Sequence, residues 1–259
     1  MPLFNFVKKQ FTDLKNSEWL VIARQARRYF ADLFPSTSLR LNKKKRRTLV
    51  SEFSRCLSIP DCMEFSCQHT EHGSIQIPWE IESALKLIAD AQPRVMCEIG
   101  TYDGGTSLLF SKFLTTVELM ICIDLYVKNK QLLKLLAPPG QHLRFFDRSS
   151  YSGRTIKEVS KFLDGRQIDA LFIDGDHRYE GVKQDFLCYR AFVKDGGLIL
   201  FHDIVPDKGT GSDWTGGVPS FWREISPYYS HREFIQNVDQ GGYGIGVLTY
   251  SSALQPLVS

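Results

Sequence analysis

Residues 97–106, with the sequence CEIGTYDGGT, close a short apolar run, Arg94–Ile99, and lead into a stretch of helical length, 106–114. Gly100 permits a sharp turn after the run, and Gly104 lets a ligand or the following helix approach the backbone closely. An apolar strand, a glycine-rich turn and a helix in this order are typical of the first unit of an open α/β sheet. Many α/β enzymes share such glycines, so the class of ligand can be inferred only from the residues around them.

The same alternation of apolar run and helical stretch continues along the chain. The further apolar runs are Glu118–Asp124, His142–Phe146, Ile168–Asp174 and Gly197–Asp203, with helical stretches at 128–137, 151–163 and 178–193. Near-continuous apolar runs separated by helices indicate a parallel sheet covered on both faces. Two last runs, Arg232–Val238 and Tyr243–Tyr250, flank turn residues 239–242 and predict a hairpin. We therefore predict a doubly wound, mostly parallel, seven-stranded Rossmann-like α/β fold with an antiparallel C-terminal hairpin.

The first 75 residues lack this alternation. Apolar spacing predicts one or two amphipathic helices within Phe11–Phe34 and another from about Lys44 to Leu57, ending before Pro60. Pro78 then begins the helix that precedes the first strand. We predict a helical N-terminal extension, residues 1–75, followed by the sheet domain, residues 76–259.

Composition excludes several classes of function. The net charge is +3, 43% of residues are hydrophobic and 24% are charged, as in an ordinary soluble globular protein. No long basic face follows, so we expect no nucleic-acid partner. The basic run Lys43–Arg47 is interpreted as a solvated stretch, with contact to anionic lipid or a polyanionic substrate as the alternative. No apolar run is long enough for a membrane span, and the first residues lack a signal-peptide pattern.

The cysteines do not suggest a disulfide framework, because six cysteines are few for a chain of this length. A cytoplasmic, reducing location is therefore expected. Five potential zinc ligands cluster between positions 56 and 72, without the paired Cys-x-x-Cys spacing of structural zinc sites. These are Cys56, Cys62, Cys67, His69 and His72. Packing or loop roles are favoured over zinc for this cluster.

Acidic residues around the glycine-rich segment narrow the choice of ligand. Glu98 and Asp103 flank the helix N-terminus, where a dinucleotide-binding protein places a pyrophosphate, and the glycine spacing is not G-x-G-x-x-G. Two carboxylates repel a pyrophosphate but suit a ligand with a sulfonium and an ammonium group. The second strand ends in Asp124, where a carboxylate can accept hydrogen bonds from both hydroxyls of a ribose.

Residues 76–250 resemble the class I S-adenosylmethionine-dependent methyltransferases. Segment 97–106 matches the first motif of that family, and Asp124 matches its ribose-binding acid. The resemblance implies S-adenosyl-L-methionine as cofactor, with the residues after the third strand at its adenine. The implied cofactor-binding residues are Glu98, Gly100, Thr101, Tyr102, Gly104, Asp124, Leu125, Asp147, Arg148, Ser149 and Asp174.

Two acid–imidazole pairs follow the fourth and fifth strands. Residues 172–181 read FIDGDHRYEG and residues 196–203 read GGLILFHD. Because the carboxyl ends of neighbouring parallel strands meet at one edge of a sheet, we expect these pairs to converge there. We predict His177, Asp174 and His202 as the catalytic residues.

These two segments are similar to a subset of the family, the small-molecule O-methyltransferases of cephalosporin-pathway, macrolide-sugar and catechol types. The metal ligands of its metal-dependent members correspond here to Asp174, His202 and Asp203. An imidazole suits manganese, iron or zinc better than magnesium, and His202 stands where an oxygen ligand is commoner. Two mechanisms stay open: a divalent cation, Mg or Mn, lowers the pKa of the acceptor hydroxyl, or His177 and His202 remove its proton without metal.

We therefore expect an enzyme that moves a methyl group from S-adenosylmethionine to a hydroxyl of a small molecule, a sugar or a natural product. The alternatives are a nucleotide-dependent oxidoreductase on the same fold and a non-catalytic cofactor-binding module. The expected partner is the small-molecule hydroxyl substrate, and homo-oligomer formation is left open. Glycine-rich residues 205–217 are interpreted as a substrate lid, with Trp214 and Trp222 as substrate contacts. The alternative is a plain surface connection, with Trp222 packed in the core.

Overall fold

One mixed seven-stranded sheet organises the computed structural model of this protein, which describes residues 43–208 and 214–254. The strands are β1 (Val95–Ile99), β2 (Leu119–Asp124), β3 (His142–Asp147), β4 (Ile168–Ile173), β5 (Val193–His202), β6 (Ser230–Phe234) and β7 (Ile245–Thr249). Their order in the sheet is β3-β2-β1-β4-β5-β7-β6. Strands β1 to β5 pair in parallel, whereas β7 runs antiparallel to both β5 and β6. The predicted fold class and its antiparallel C-terminal pair are confirmed.

Helices connect and cover the strands. They are α1 (Lys43–Arg55), α2 (Ile59–His69), α3 (Pro78–Asp90), α4 (Gly105–Phe113), α5 (Lys130–Leu136), α6 (Gly153–Leu163), α7 (Tyr179–Tyr189) and α8 (Val218–Ile225). Within residues 43–208 and 214–254, none of these helices combines the length and the apolar character that crossing a membrane requires.

Burial explains why the central strands read as unbroken apolar runs. Every residue of β1 is buried, as are all but the last of β2. The edge strand β6 is mostly exposed and carries polar side chains. On one face of the sheet, α6, α7 and α8 close a core in which Phe186, Phe201 and Phe221 are fully buried. Trp222 belongs to the same core and is 2% exposed, so the structure supports its packing role and not a substrate contact.

The N-terminal part of the described chain differs from the prediction at one helix. Pro60, interpreted as a barrier to helix, lies in the first turn of α2, where a proline needs no N–H partner. Ser58 and Asp61 form a capping box at its start: the Ser58 hydroxyl accepts from the Asp61 amide, and the Asp61 carboxylate accepts from the Ser58 amide at 2.9 Å. The helices predicted within Phe11–Phe34 lie outside the described residues.

Helices α1 and α2 are packed into the domain and do not stand apart from it. The rings of Phe53 and Phe65 are buried 5.1 Å apart, and the Lys112 ammonium of α4 donates to the carbonyl oxygen of Phe53 at 2.9 Å. Cys62 is fully buried in the same region, where burial raises its thiol pKa to about 12. The boundary at residue 75 stays a prediction, although residues 43–69 share this packing with the helices of the sheet. Residues 43–47 form the exposed first turns of α1.

The connection between β6 and β7 is longer than the predicted four-residue turn. It covers residues 235–244 and is held by the buried carboxylate of Glu80 in the first turn of α3. Glu80 accepts hydrogen bonds from the Gln236 amide at 3.0 Å, the Gln240 side chain at 2.8 Å and the Gly244 amide at 2.8 Å. This carboxylate fixes the connection against the carboxyl edge of the sheet.

Candidate active site

The candidate site lies at the carboxyl ends of β1, β2, β4 and β5. The strand order reverses between β1 and β4, and open α/β sheets bind ligands in the crevice at such a reversal. Gly100 and Gly104 both have positive φ, +94° and +83°, which favours glycine over residues with a side chain. The turn after β1 therefore keeps the backbone close to the end of β4.

Glu98 sits beneath this turn. Its carboxylate is 1% exposed and accepts from the hydroxyl of Thr101 at 2.9 Å and from that of Ser107. Burial raises the pKa of Glu98 to about 7, and the two hydroxyls oppose that rise only in part. Glu98 and Thr101 thus brace the turn from inside the domain.

Asp103 turns toward the N-terminal segment. It accepts from the backbone amide of His72 at 2.6 Å, and the Lys128 ammonium lies 3.4 Å from its other oxygen. Lys128 also pairs with Glu71 at 2.5 Å. Asp103 is therefore paired with Lys128, and Glu98 is buried beneath the turn. The structure does not support the prediction that these two carboxylates repel a pyrophosphate.

Asp124 is held at the end of β2 by the backbone. One carboxylate oxygen accepts from the amide of Tyr102 at 2.9 Å and the other from the amide of Tyr126 at 2.8 Å. Tyr102 and Leu125 beside it are 41% and 38% exposed. The structure thus brings Asp124 and the glycine-rich turn together. We call this partly exposed surface, with Tyr102 and Leu125, the rim of the site.

The residues after β3 complete this rim. Asp147 accepts from the Val127 amide at 2.9 Å and from the Lys130 ammonium. The amide of Arg148 donates to the carbonyl oxygen of Asp124 at 2.7 Å, while its guanidinium pairs with Glu158 at 2.7 Å. Ser149 lies in the turn that follows. The side chains of Asp147 and Arg148 therefore have structural partners within the domain.

The two acid–imidazole pairs converge as predicted. The Oδ1 atom of Asp174 lies 3.3 Å from His202 Nδ1 and 3.4 Å from His177 Nε2. The Oδ2 atom of Asp203 lies 3.4 Å from His202 Nδ1 and 3.5 Å from His177 Nδ1. Asp203 is 1% exposed and has a positive φ of 66°, so the backbone turns sharply to present this carboxylate.

The carboxylates of this cluster raise the pKa of both histidines. Burial lowers the pKa of His177, but the hydrogen bond and charge of Asp174 and the charge of Asp203 outweigh it and raise the pKa to about 9. For His202 the same carboxylates likewise outweigh burial and raise the pKa well above its ordinary value. Burial raises the pKa of Asp174, yet the imidazoles prevail and hold it below its usual range. The neighbouring carboxylates thus favour the protonated form of both imidazoles.

The structure adds one residue to those predicted to share a cation, Asp174, His202 and Asp203, and that prediction stays open. Ligand atoms of Asp174, His177 and Asp203 all lie within 4.8 Å of one another. His177, predicted only as a base, thus joins the two carboxylates as a potential ligand. The Nδ1 atom of His177 donates to the carbonyl oxygen of Trp214 at 2.7 Å and leaves Nε2 directed at Asp174.

Sequence reasoning missed two side chains of this site. Gln76 donates from Nε2 to Asp174 Oδ2 at 3.3 Å, although it lies 98 positions upstream. The Tyr243 ring lies 6.0 Å from the His202 ring and 4.9 Å from that of Trp214. Neither residue belongs to a local motif, so only the fold reveals their proximity.

Residues 97–204 match the model of a family described as a methyltransferase domain. This part of the chain is a methyltransferase domain. The match begins within β1 and ends just after Asp203, so it contains both the glycine-rich turn and the Asp/His cluster. The family predicted from the resemblance is confirmed for this segment.

Two curated relatives extend the sequence comparison, and neither has an assigned function. A protein of Acanthamoeba polyphaga mimivirus is 34% identical over 112 residues, which are 41% of this chain and 49% of that protein. A protein of Sinorhizobium fredii is 24% identical over 152 residues, which are 54% of this chain and 16% of that protein. The chain thus spans about half the length of the first protein and a smaller part of the second.

Solved structures show the same fold. The O-methyltransferase TomG of Streptomyces achromogenes, involved in tomaymycin synthesis and solved with S-adenosylmethionine, superposes with a TM-score of 0.50 at 15% identity, covering 86% of this chain and 95% of its own. A protein of Staphylococcus aureus assigned as a caffeoyl-CoA O-methyltransferase reaches 0.52 at 16% identity, covering 80% of this chain and 100% of its own. At these identities the likeness concerns the fold.

Proposed function

We propose that the protein is an enzyme that transfers the methyl group of S-adenosylmethionine to a hydroxyl group of a small molecule. The observation that carries this proposal is the convergence of Asp174, His177, His202 and Asp203 beside the glycine-rich turn of a methyltransferase domain. Methyl transfer to oxygen needs an aligned acceptor and a group that takes or weakens one proton. The carboxylates and imidazoles of this cluster are groups of the second kind.

The residues at this edge fit the proposed cofactor. An oriented carboxylate at the end of β2, here Asp124, is the group that receives ribose hydroxyls in folds of this class. The acidic end of β4 suits a cationic sulfonium and an ammonium. When bound, S-adenosylmethionine supplies an activated methyl group. Glu98 and Thr101 would support the turn that contacts the cofactor.

We favour a divalent cation, Mg or Mn, as a second ligand of the site. Asp174, His177 and Asp203 would hold it, with His202 beside both carboxylates. The contact of His177 Nδ1 with a backbone carbonyl supports this role, because metal-binding histidines usually donate their other ring nitrogen to such an acceptor. A cation here would lower the pKa of the acceptor hydroxyl by its charge.

The metal-free mechanism is the second candidate. In it, His177 or His202 takes the proton of the acceptor hydroxyl as a general base. The hydrogen bond from His177 to Trp214 would orient the ring, and Asp174 would stabilise the imidazolium that forms. The geometry serves this mechanism too. Both the base mechanism and metal binding need the neutral imidazole of His177, so its raised pKa does not separate them.

The acceptor is proposed to be a sugar or another natural product. The rings of Trp214 and Tyr243 stand next to the cluster and offer apolar faces for a ring-shaped substrate. Residues 209–213 of the predicted lid lie outside the described residues. A cytoplasmic location remains part of the proposal.

Two measurements on the purified chain test the proposed function. Calorimetry should show that S-adenosylhomocysteine binds and NADH does not, and labelled S-adenosylmethionine should transfer its methyl group to members of a panel of sugars and phenols. Binding of NADH in place of S-adenosylhomocysteine would favour the oxidoreductase. Binding of S-adenosylhomocysteine without transfer to any hydroxyl compound would favour the non-catalytic module.

A further inference from the structure

Gln76 is a buried amide that reaches the site from outside the matched methyltransferase segment. It lies between α2 and α3 and is 7% exposed. Its Nε2 atom donates to Asp174 Oδ2 at 3.3 Å. A carboxylate can only accept here, so the amide nitrogen must face Asp174 and the amide oxygen must point elsewhere.

That amide oxygen is buried without a hydrogen-bond partner among the described residues. Buried acceptors in folded proteins are nearly always paired, because an unpaired one loses its hydration with no compensation. Beside Asp174, this oxygen is free to accept a hydrogen bond from a bound ligand. The nitrogen of the same amide already has its partner in Asp174.

The position of Gln76 indicates which ligand brings the donor. Asp174 directly follows β4, and its carbonyl oxygen lies close to Gly100, directly after β1. Gln76 therefore donates to a residue at the reversal of strand order. Asp174 Oδ1 faces the imidazoles while Oδ2 faces Gln76, so the two sides of this carboxylate serve different neighbours. Gln76 thus contacts the carboxylate oxygen of Asp174 that the two imidazoles do not contact.

We propose that Gln76 accepts a hydrogen bond through its Oε1 atom from the α-ammonium group of the methionine part of the cofactor. This inference rests on the proposed function and adds a specificity-determining residue to it. Asp174 and Gln76 then act together: the carboxylate supplies charge to the ammonium, and the amide supplies a directed acceptor and holds the carboxylate in place. The side chain would distinguish cofactors that carry an amino-acid part from nucleosides that lack it.

Substitution of Gln76 by leucine tests this role, since leucine keeps most of the volume and removes both polar atoms. Affinity for S-adenosylhomocysteine should fall on the order of ten-fold, the scale of one hydrogen bond to a charged group. Affinity for 5′-methylthioadenosine, which lacks the ammonium, should stay within about two-fold of wild type. Both affinities are measured by calorimetry, so no acceptor substrate is required.

Gln141 provides a matched control. It is also buried, and its Nε2 atom donates to the backbone carbonyl of Val117. Its Oε1 atom has no hydrogen-bond partner in the part of the chain that the structure describes. It lies at the amino end of β3, across the sheet from the site. Gln141→Leu should leave both affinities at their wild-type values. This comparison separates the loss of a buried amide as such from the loss of an amide that meets the ligand.

The remaining outcomes contradict either the role of Gln76 or the proposed function. Unchanged affinity of Gln76→Leu for S-adenosylhomocysteine overturns the proposal, as does an equal loss for both ligands, which would indicate a general distortion. If the wild-type chain fails to bind S-adenosylhomocysteine at all, the proposed function is wrong, whatever the variant does.

Discussion

Gly100 approaches the end of β4 so closely that a Cβ atom on it would lie 1.8 Å from the carbonyl oxygen of Asp174. This contact joins the glycine-rich turn to the residue at the centre of the Asp/His cluster. Its positive φ of 94° adds a second reason for glycine at this position. The turn and the cluster are therefore parts of one packed unit.

Gly100→Ala should destabilise the fold by at least about 3 kcal/mol, because overpacking against backbone and an unfavourable φ act together. Urea unfolding followed by circular dichroism measures this loss. Gly153→Ala is the control: its Cβ would meet nothing within 4 Å at the start of α6, so stability should stay equal or rise slightly. Equal stability of the two variants would contradict the close approach.

Asp124→Asn should weaken binding of S-adenosylhomocysteine by about 1–3 kcal/mol, since a carbonyl and an amide replace two equivalent acceptor oxygens toward a ribose. Titration calorimetry gives the number. Asp195→Asn changes a carboxylate that accepts from Ser252, far from the candidate site, and should bind as wild type does. An Asp124 variant with wild-type affinity would remove this residue from the site.

Asp203→Asn should abolish methyl transfer while leaving S-adenosylhomocysteine affinity nearly unchanged, if this carboxylate holds a divalent cation. Asparagine tolerates the positive φ of this position, so the fold should survive. Elemental analysis of wild type and variant, with an EDTA and manganese series on turnover, checks the reason for the loss. Full turnover of metal-free wild-type enzyme would favour the histidine-base mechanism instead.

Glu98→Gln should change stability in a pH-dependent way. Burial raises the pKa of Glu98 from 4.5 to about 7 in the folded state, so its protonated form stabilises the fold below the unfolded-state pKa, and this contribution is lost as pH rises through 7. Relative to wild type, the variant should therefore gain up to about 3 kcal/mol between pH 4.5 and pH 8. Glu82→Gln, which removes an exposed carboxylate from an ion pair with Lys86, is the control for replacing a glutamate as such. A pH-independent difference for Glu98→Gln would contradict the raised pKa.

A chain that begins at Gly73 should unfold at a lower temperature than one that begins at Lys43. It loses the buried rings of Phe53 and Phe65 and the contact of His72 with Asp103. Burial of such rings is worth several kcal/mol, so differential scanning calorimetry should detect the change easily. Equal melting temperatures would support the predicted domain boundary at residue 75.

The sheet could be predicted because each of its central strands is buried on both faces and so reads as an uninterrupted apolar run, as in β1 and β2. The cluster could be predicted because Asp174 and Asp203 stand directly at the ends of such runs. Helix α2 was missed because Pro60 stops a helix at most positions but not in its first turn. Gln76 could not be found, since its link to Asp174 depends on how α2 and α3 dock and not on any local pattern.

Glu80 affects the stage of chain synthesis at which the site can be completed. Its partners lie 156 to 164 positions later in the chain, so a growing polypeptide exposes this carboxylate long before they are synthesised. The predicted catalytic side chains all emerge from the ribosome before residue 235, yet the aromatic neighbour Tyr243 arrives only with the segment that Glu80 captures. A nascent chain therefore carries the whole Asp/His cluster while one wall of its substrate end is still missing.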